Sequence, residues 1–307
     1  MSSIRNLAQT DYSQCEELII VCGHAHFRSD LPNRDPFSEA SWKLKPFQRS
    51  TATKQGEHVT FCHHIIAALN LLAHPKAFLV FSGGATDPEV EHTEADSYMD
   101  AMYAILQKQP HDSHLSSSKI GSRWSAETLA TDSFQNFLFS IIEFRKKTGR
   151  YPQKISVVTH DFKTQRFMLC HAQATRWPRD SIEVIGIDPI WSSPEEKQTT
   201  AAMEGKHAYL PFKTDPYGTM PLLSAKRIGR LWDKSKLNLL SSGLEPSVQK
   251  LLAWEGTELF DEPLPWSSES SQYPEDHGAV SRLSSMRFNF DPELASRVPC
   301  FRTSFAR

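Results

Sequence analysis

Four short apolar runs constrain the fold of this chain more than anything else in it. They are "ELIIVC" (Glu17 to Cys22), "AFLVFS" (Ala77 to Ser82), "KISVVTH" (Lys154 to His160) and "IEVIGI" (Ile182 to Ile187). Runs of this length that stay apolar at successive positions, rather than alternating with polar ones, read as strands buried on both faces. Helical patterns separate them. "GEHVTFCHHIIAALNLLAHP" predicts a helix ending before Pro75, and a second helix is predicted from about Thr93 to Gln107. A third runs from about Asp132 to Thr148, with Gly149 as its stop, and "FKTQRFMLCHAQATRW" gives a fourth. Thr93 with Asp96 three residues later resembles a capping box. Strands alternating with helices predict a parallel sheet covered on both faces: a Rossmann-like three-layer α/β/α sandwich with a mainly parallel sheet.

This alternation fades near residue 192, which sets the expected organisation. Residues 1–192 form the Rossmann-like domain. Residues 193–260, with helical patterns in "PYGTMPLLSAKRIGRLWDKSK" and "PSVQKLLAWEGTELF", form a helical extension packing on the same domain. Residues 261–307, rich in Ser, Pro and Glu, are expected to be a loosely packed tail, with 283–307 docking back.

In an open α/β sheet, ligands bind outside the carboxyl ends of the strands, so the residues that follow each run are the candidates. They are Gly23-His24-Ala25-His26, then Ser82-Gly83-Gly84-Ala85-Thr86, then Thr159-His160-Asp161-Phe162-Lys163, then Asp188-Pro189. Gly83 and Gly84 lack Cβ atoms; they either form a turn or let backbone N–H groups come close to an anion. Neither G-x-G-x-x-G nor G-x-x-x-x-G-K-[ST] is present, so the standard dinucleotide and P-loop fingerprints are missing. Asp87, Glu89 and Glu91 follow as solvated loop charges. Glu94, opening a helix beside the glycines, is the stronger carboxylate candidate, its other role being to favour the helix dipole.

Ser133, Asn136 and Ser140 share one face of an otherwise apolar helix and need partners. Lys163 and Arg166 can reach a phosphate or carboxylate at the sheet edge, or form an ion pair, with Arg better suited to bidentate contact. His24 and His26 invite a zinc reading with Asp161, Asp188 or Glu94, although 13 histidines make chance pairs common. No G-x-S-x-G elbow is present. Asp215-Pro216-Tyr217-Gly218 has type I turn chemistry.

Composition removes several function classes. With 34 basic against 36 acidic residues, nothing points to a nucleic-acid partner. No window approaches the roughly 18 to 20 uninterrupted apolar residues of a membrane helix, and the first residues show no apolar signal core. Five scattered cysteines without a C-x-x-C pair read as reduced thiols. The expectation is a soluble protein of the cytoplasm, with access to the nucleus, whose partner is a small molecule. Nothing fixes the oligomeric state.

Four stretches in this order, "IIVCGHA", "FLVFSGGATD" followed by "TEADSY", "ETLATDSFQNFLFS" and "ISVVTHDFKTQRF", resemble the YdcF-like/SanA-like family, a domain family of unassigned function, and within it the eukaryotic, fungal-type branch. The resemblance covers about residues 17 to 190, and "DPYGTMPLLSAKR" extends it to about Arg227. It implies a ligand pocket at the strand ends made by Gly23, Ser82, Gly83, Gly84, Glu94, Glu127, Ser133, Asn136, Thr159, Phe162 and Arg166, joined in this branch by Asp215, Tyr217, Lys226 and Arg227. His24 lies inside the resembling stretch and His26 just beyond it. Bacterial relatives have His where this chain has Lys163, and Ser where it has His160, so a proton-transfer role for that His does not carry over. Some relatives are associated with S-adenosylmethionine, which makes it a cofactor candidate here.

These residues support three readings. The first is an enzyme of transferase or hydrolase type acting on a small anionic or nucleoside-like ligand. Ser82, Gly83 and Gly84 would present backbone donors, Arg166 with Lys163, Lys226 and Arg227 would neutralise the anion, and Glu94 and Glu127 would be acid and base. The second is a non-catalytic sensor or carrier of S-adenosylmethionine or a nucleotide. The third is a metal-dependent hydrolase using His24, His26 and a strand-end carboxylate.

Overall fold

Glu17–Cys22 (β1) forms the middle of a five-stranded parallel sheet. The structure, a computed structural model, describes residues 11–32, 34–109, 115 and 121–267. The short ribbon His26–Phe27 (β2) with Trp42–Lys43 (β3) stands apart and is antiparallel. β1 pairs on one side with Ala77–Ser82 (β4), Ile20 opposite Val80, and on the other with Lys154–Thr159 (β6), Ile20 opposite Val157. Trp124–Glu127 (β5) lies outside β4, and Ile182–Gly186 (β7) outside β6. The order β5-β4-β1-β6-β7 places the switch point, where the winding reverses, between β1 and β6. The crevice outside the carboxyl ends of those two strands is where such sheets bind ligands.

Alternation along β1 sorts its side chains between the faces. Ile19 and Val21 pack with Phe61, Ile65 and Leu69 of His58–Leu72 (α1) and Tyr98 and Met102 of Glu94–Gln107 (α2). Leu18, Ile20 and Cys22 pack with Phe137, Ile141 and Phe144 of Ser133–Thr148 (α3), and with Phe167. The sheet is therefore the middle of three layers, as the alternation predicts. Ile20 is fully buried, and truncating such a side chain to Ala costs about 2–5 kcal/mol.

The helix ends follow their capping residues. Asp96 N donates to Thr93 Oγ1 (3.0 Å) at the start of α2. The Asp96 carboxylate accepts from the Thr93 hydroxyl, not from the backbone amide of a full capping box. Asp132 caps α3 by accepting from Gln135 N (2.9 Å), and Gly149 closes it at φ 78°.

Three expectations need correction. β5 is a strand the sequence reading lacks, because "WSAE" is only four residues long and buries alternate positions. The segment after β6 is not a uniform helix. It begins with a 3₁₀ turn, Asp161–Lys163, and widens into a π-helical stretch, Arg166–His171. Residues 261–267 are not loose: Leu264 is buried, and Trp266 stacks near Trp177 and Tyr151, with centroids 5.6 and 4.8 Å away. The rest of the expected tail, including 283–307, lies outside the described residues.

The extension shares a core with the apolar outer face of α3. Phe134, Leu138 and Phe139 pack with Phe212, Tyr217, Leu223, Val248 and Phe260. Its first helix, Pro194–Glu204, runs into a second π-helical stretch, Gly205–Tyr209, beside the strand ends. Among the described residues no helix is long and apolar enough to cross a membrane.

Candidate strand-end site

The glycines after β1 and β4 serve packing rather than anion capture. Gly23 N donates to Ser82 O (2.8 Å), Gly83 N to Glu127 O (3.0 Å) and Gly84 N to Ala130 O (2.6 Å). Their carbonyls are also used: Gly84 O accepts from Glu94 N and Gly83 O from Ala95 N, which caps the start of α2. The expectation that Ser82, Gly83 and Gly84 present free backbone donors is therefore corrected at the two glycines, whose amides are spent on the end of β5 and the loop after it. What the missing Cβ atoms allow is the close seat of Glu94. A Cβ on Gly23 would lie 2.6 Å from Glu94 Cβ, and one on Gly83 2.8 Å from it. The acidic loop beyond turns away from the crevice: Lys43 of β3 pairs with Asp87 (3.0 Å) and Glu89 (2.7 Å).

The two carboxylates carried over as acid and base differ in freedom. Glu127 Oε2 accepts from the Ser82 hydroxyl (2.6 Å), and Oε1 accepts from Leu129 N (2.7 Å) and Ala130 N (3.0 Å). Both oxygens thus hold the β5 loop in place. Burial pushes the Glu127 carboxyl up to about 7 against these three donors. Glu94 accepts from Thr86 Oγ1 (2.6 Å) at Oε1 only, and burial raises its pKa while Arg230, Lys45 and Lys163 hold it down. Glu94 is the carboxylate that keeps an oxygen for a ligand.

The polar face of α3 is satisfied from within at Ser133 and Asn136, whereas the buried Ser140 hydroxyl has no partner among the described residues. Asn136 Oδ1 lies 3.2 Å from the Ser82 hydroxyl, and the Asn136 side chain favours the thiolate of the neighbouring Cys22. That thiol is pushed up to about 12 by burial, so it stays protonated. Ser133 Oγ lies 2.7 Å from His171 Nε2, while Asp132 rather than Ser133 is the cap.

At the switch point three imidazoles meet. His24 follows β1, His160 follows β6, and His64 comes from α1. Ring centroids are 4.6 Å apart for His24 and His160, 5.1 Å for His64 and His160, and 5.7 Å for His24 and His64. Phe162 stacks on His160 (4.9 Å), and Phe61 closes the other side. Lys163 Nζ donates to His24 Nδ1 (3.2 Å), and His24 Nε2 lies 3.3 Å from Thr159 Oγ1. Desolvation holds all three imidazoles below the ordinary range, His64 at about 3, and it lowers Lys163 to about 8 with help from Arg166. Neither ring nitrogen of His160 has a partner among the described residues.

Arg166 lies beside this cluster on the π-helical stretch and is 8% exposed. Among the described residues its guanidinium makes no hydrogen bond, and its ion pair, Nε to Glu204 Oε1, is long at 3.5 Å. Glu204 comes from the last residue of helix Pro194–Glu204, its Oε1 is likewise buried without a hydrogen bond, and burial raises its pKa. Two buried ions so loosely joined leave most of their hydrogen-bonding capacity unused.

The carried-over residues of the extension separate from this cluster. Asp215 caps its own turn, accepting from Thr219 N (2.9 Å) and Met220 N (3.0 Å). The Tyr217 hydroxyl donates to Ala174 O (3.0 Å) and accepts from Phe260 N (2.7 Å). Arg227 Nε pairs with Asp132 at 2.6 Å, and Lys226 Nζ donates to His207 O (2.6 Å). Asp215 and Tyr217 are spent on the fold. Lys226 still contributes positive potential, since Arg166 and Arg230 both lower its pKa. An open cavity of about 80 Å³ lies under the extension, walled by Phe134, Tyr217, Trp232 and Trp254. The convergent ionisable groups lie at the strand ends instead, and chemistry weighs more than open volume in choosing between them.

His24 and His26 do not form a metal pair. Both ring nitrogens of His24 are engaged by Lys163 and Thr159, whereas His26 sits in the β2–β3 ribbon under the influence of Asp87 and Lys43. Among the described residues no three His, Cys, Asp or Glu side chains are grouped to hold an ion. Sequence reasoning missed His64 and Glu204. His64 hides inside "CHHII", where its place on the sheet-facing side of α1 was the available signal; Glu204 carried none.

An uncharacterized protein of Saccharomyces cerevisiae, YOR238W, is 29% identical over 256 residues, covering 70% of this chain and 83% of the yeast protein. No family model matches the chain, and no solved structure does.

Proposed function

We propose that this is a YdcF-like protein which binds a small anionic or nucleoside-like ligand in the crevice between β1 and β6 and acts on it as an enzyme of transferase or hydrolase type. The observation that carries the reading is Arg166: a buried guanidinium whose only ion pair among the described residues is 3.5 Å long, beside a second, partly buried cation, Lys163. A phosphate or carboxylate would give both a close counter-ion. Lys226 and Arg230 add positive potential, and Glu94 is the general acid or base with an oxygen to spare.

A second reading, a non-catalytic sensor or carrier of S-adenosylmethionine or a nucleotide, draws support from Glu127. Both its oxygens are tied to the loop, which leaves one free carboxylate where acid and base would need two. Four buried free thiols, Cys15, Cys22, Cys62 and Cys170, fit a reducing compartment such as the cytoplasm or nucleus.

The test is native mass spectrometry with S-adenosylmethionine, S-adenosylhomocysteine, ATP, ADP and sugar phosphates. Binding that Arg166→Ala weakens by about 10- to 100-fold supports the crevice, on the strength of a charge-assisted contact. Binding that survives Arg166→Ala unchanged overturns it. Turnover of the retained ligand separates the enzyme from the carrier.

A further inference from the structure

Lys163 is an unusual lysine in its setting. Its ammonium nitrogen has no ion pair among the described residues, and its hydrogen-bond partner is the imidazole of His24. With Lys163 as an ammonium donor, His24 Nδ1 accepts and the ring hydrogen lies on Nε2, which faces Thr159 Oγ1 at 3.3 Å. Lys163 Nζ also lies 5.7 Å from the centre of the Phe162 ring, itself stacked on His160.

The surrounding titratable groups come from several elements. Arg166 lies one turn further along the same segment. Cys22 and His24 come from β1 and its loop, His160 from the end of β6, Glu57 from the residue before α1 and His64 from the N-terminal half of α1. Glu94 and Glu204 face it from α2 and the extension. None of the three carboxylates reaches ion-pair distance of Nζ: Glu57 is paired with Lys54 (3.5 Å), Glu94 bonds Thr86 and Glu204 faces Arg166.

We propose that Lys163 is a covalent nucleophile that forms an imine with an aldehyde or ketone carrying a phosphate or carboxylate group. A lysine becomes a nucleophile at neutral pH when burial and a neighbouring cation disfavour its ammonium form. Here apolar rings supply the first and Arg166 the second, and burial with Arg166 lowers the amine to about 8. The amine lone pair attacks the carbonyl carbon, and the proton lost from nitrogen passes through His24 to the carbonyl oxygen, giving a carbinolamine. His24 then delivers a proton that lets that oxygen leave as water and takes one back from the iminium nitrogen, so the sum is amine plus carbonyl giving imine plus water. Arg166 binds the anionic end of the same molecule. That anionic half rests on the crevice reading above; the amine chemistry does not.

The experiment is reductive trapping of the full-length protein with cyanoborohydride near pH 8, using glycolaldehyde phosphate, glyoxylate and uncharged glycolaldehyde as probes. Adducts are located by peptide mass mapping. At pH 8 an amine of pKa about 8 holds on the order of 100-fold more free base than an ordinary surface lysine. The expected result is labelling of Lys163 at least about tenfold above any other lysine, with the Lys163→Arg protein losing that adduct alone. Arg166→Ala should reduce labelling by the two anionic probes well beyond the smaller fall seen with glycolaldehyde, which reflects only the loss of the cation that lowers the Lys163 amine. Equal labelling of Lys163 by charged and uncharged probes would keep the nucleophile and remove the anion pocket. Labelling spread evenly over the lysines of the wild-type protein would overturn the proposal, and that outcome needs no variant to fold.

Discussion

Ser82 at the end of β4 donates its hydroxyl proton to Glu127 at the end of β5 across 2.6 Å, both side chains almost fully buried. This bond ties two neighbouring strand ends and leaves Glu127 little freedom for chemistry. Its carboxyl, raised to about 7, binds a proton more tightly folded than unfolded. Stability from this group is therefore full below about pH 4.5 and declines as pH rises to about 7. Glu127→Gln removes that titration. Comparing stabilities of both proteins from urea unfolding at pH 5 and 7.5, the variant should gain about 2 kcal/mol relative to wild type on going to the higher pH. An unchanged difference would show that folding does not raise the Glu127 pKa.

His64 works in the opposite direction. Its imidazole is fully buried, bonds Ile187 O through Nε2 (2.9 Å) and is held at about 3. The unfolded chain takes up a proton below about pH 6.5 while the folded chain does not, so stability is lost on acidification from 6.5 downwards. The cost reaches about 2 kcal/mol at pH 5. His64→Gln should flatten that part of the acid limb, read from denaturation midpoints at pH 7.5 and 5. A limb as steep as that of wild type would assign the acid sensitivity to other groups.

Glu94 is the carboxylate to test for catalysis. Glu94→Gln keeps the acceptor for the Thr86 hydroxyl and removes the exchangeable proton. Once a substrate is in hand, kcat should fall roughly 100-fold or more while binding persists, the usual weight of a general acid or base. Full retention of kcat would favour the carrier reading.

Gly23 tests the packing role of the glycines. In Gly23→Ala the new methyl would lie 2.6 Å from Glu94 Cβ, an overpacking that costs typically 1–3 kcal/mol. Glu94→Gly in the same chain should recover part of this, because the opposing Cβ is gone. Additive losses in the double variant would show that the two positions do not press on each other.

Glu204 is expected to compete with the ligand for Arg166. Glu204→Gln removes the opposing charge, and inorganic phosphate or a sugar phosphate should bind several-fold more tightly by calorimetry, in the range of an exposed to partly buried ion pair. Weaker binding would mean that Glu204 orients Arg166 instead.

The parts of the fold legible in the sequence were those with local causes. The four apolar runs became strands because buried parallel strands need no polar alternation, and Asp132, Gly149 and the Asp215 turn act through neighbours in the chain. β5 was not legible: four residues with two buried positions give too little pattern. At the site, the strand-end positions of His24, Thr159, His160 and Lys163 followed from where the runs stop. The use of the glycine amides did not, since their acceptors Glu127 O and Ala130 O lie at the end of β5 and in the loop after it, some 45 residues on. Nor did the meeting of Arg166 with Glu204, which depends on how the extension folds back.

The placement of β1 has a consequence for biosynthesis. Of the five strands of the sheet, the earliest in the chain is the one at its centre, and its two partners arrive at Ala77 and Lys154. Until Thr159 has been made, one full edge from Leu18 to Val21, among the most apolar stretches in the chain, has no neighbour. Unpaired apolar edges invite aggregation or chaperone capture. A message truncated between the codons for Gly149 and Thr159 should therefore yield an insoluble fragment rather than half a working protein, and synonymous changes that slow translation across that interval should lower yield more than the same changes placed after residue 190.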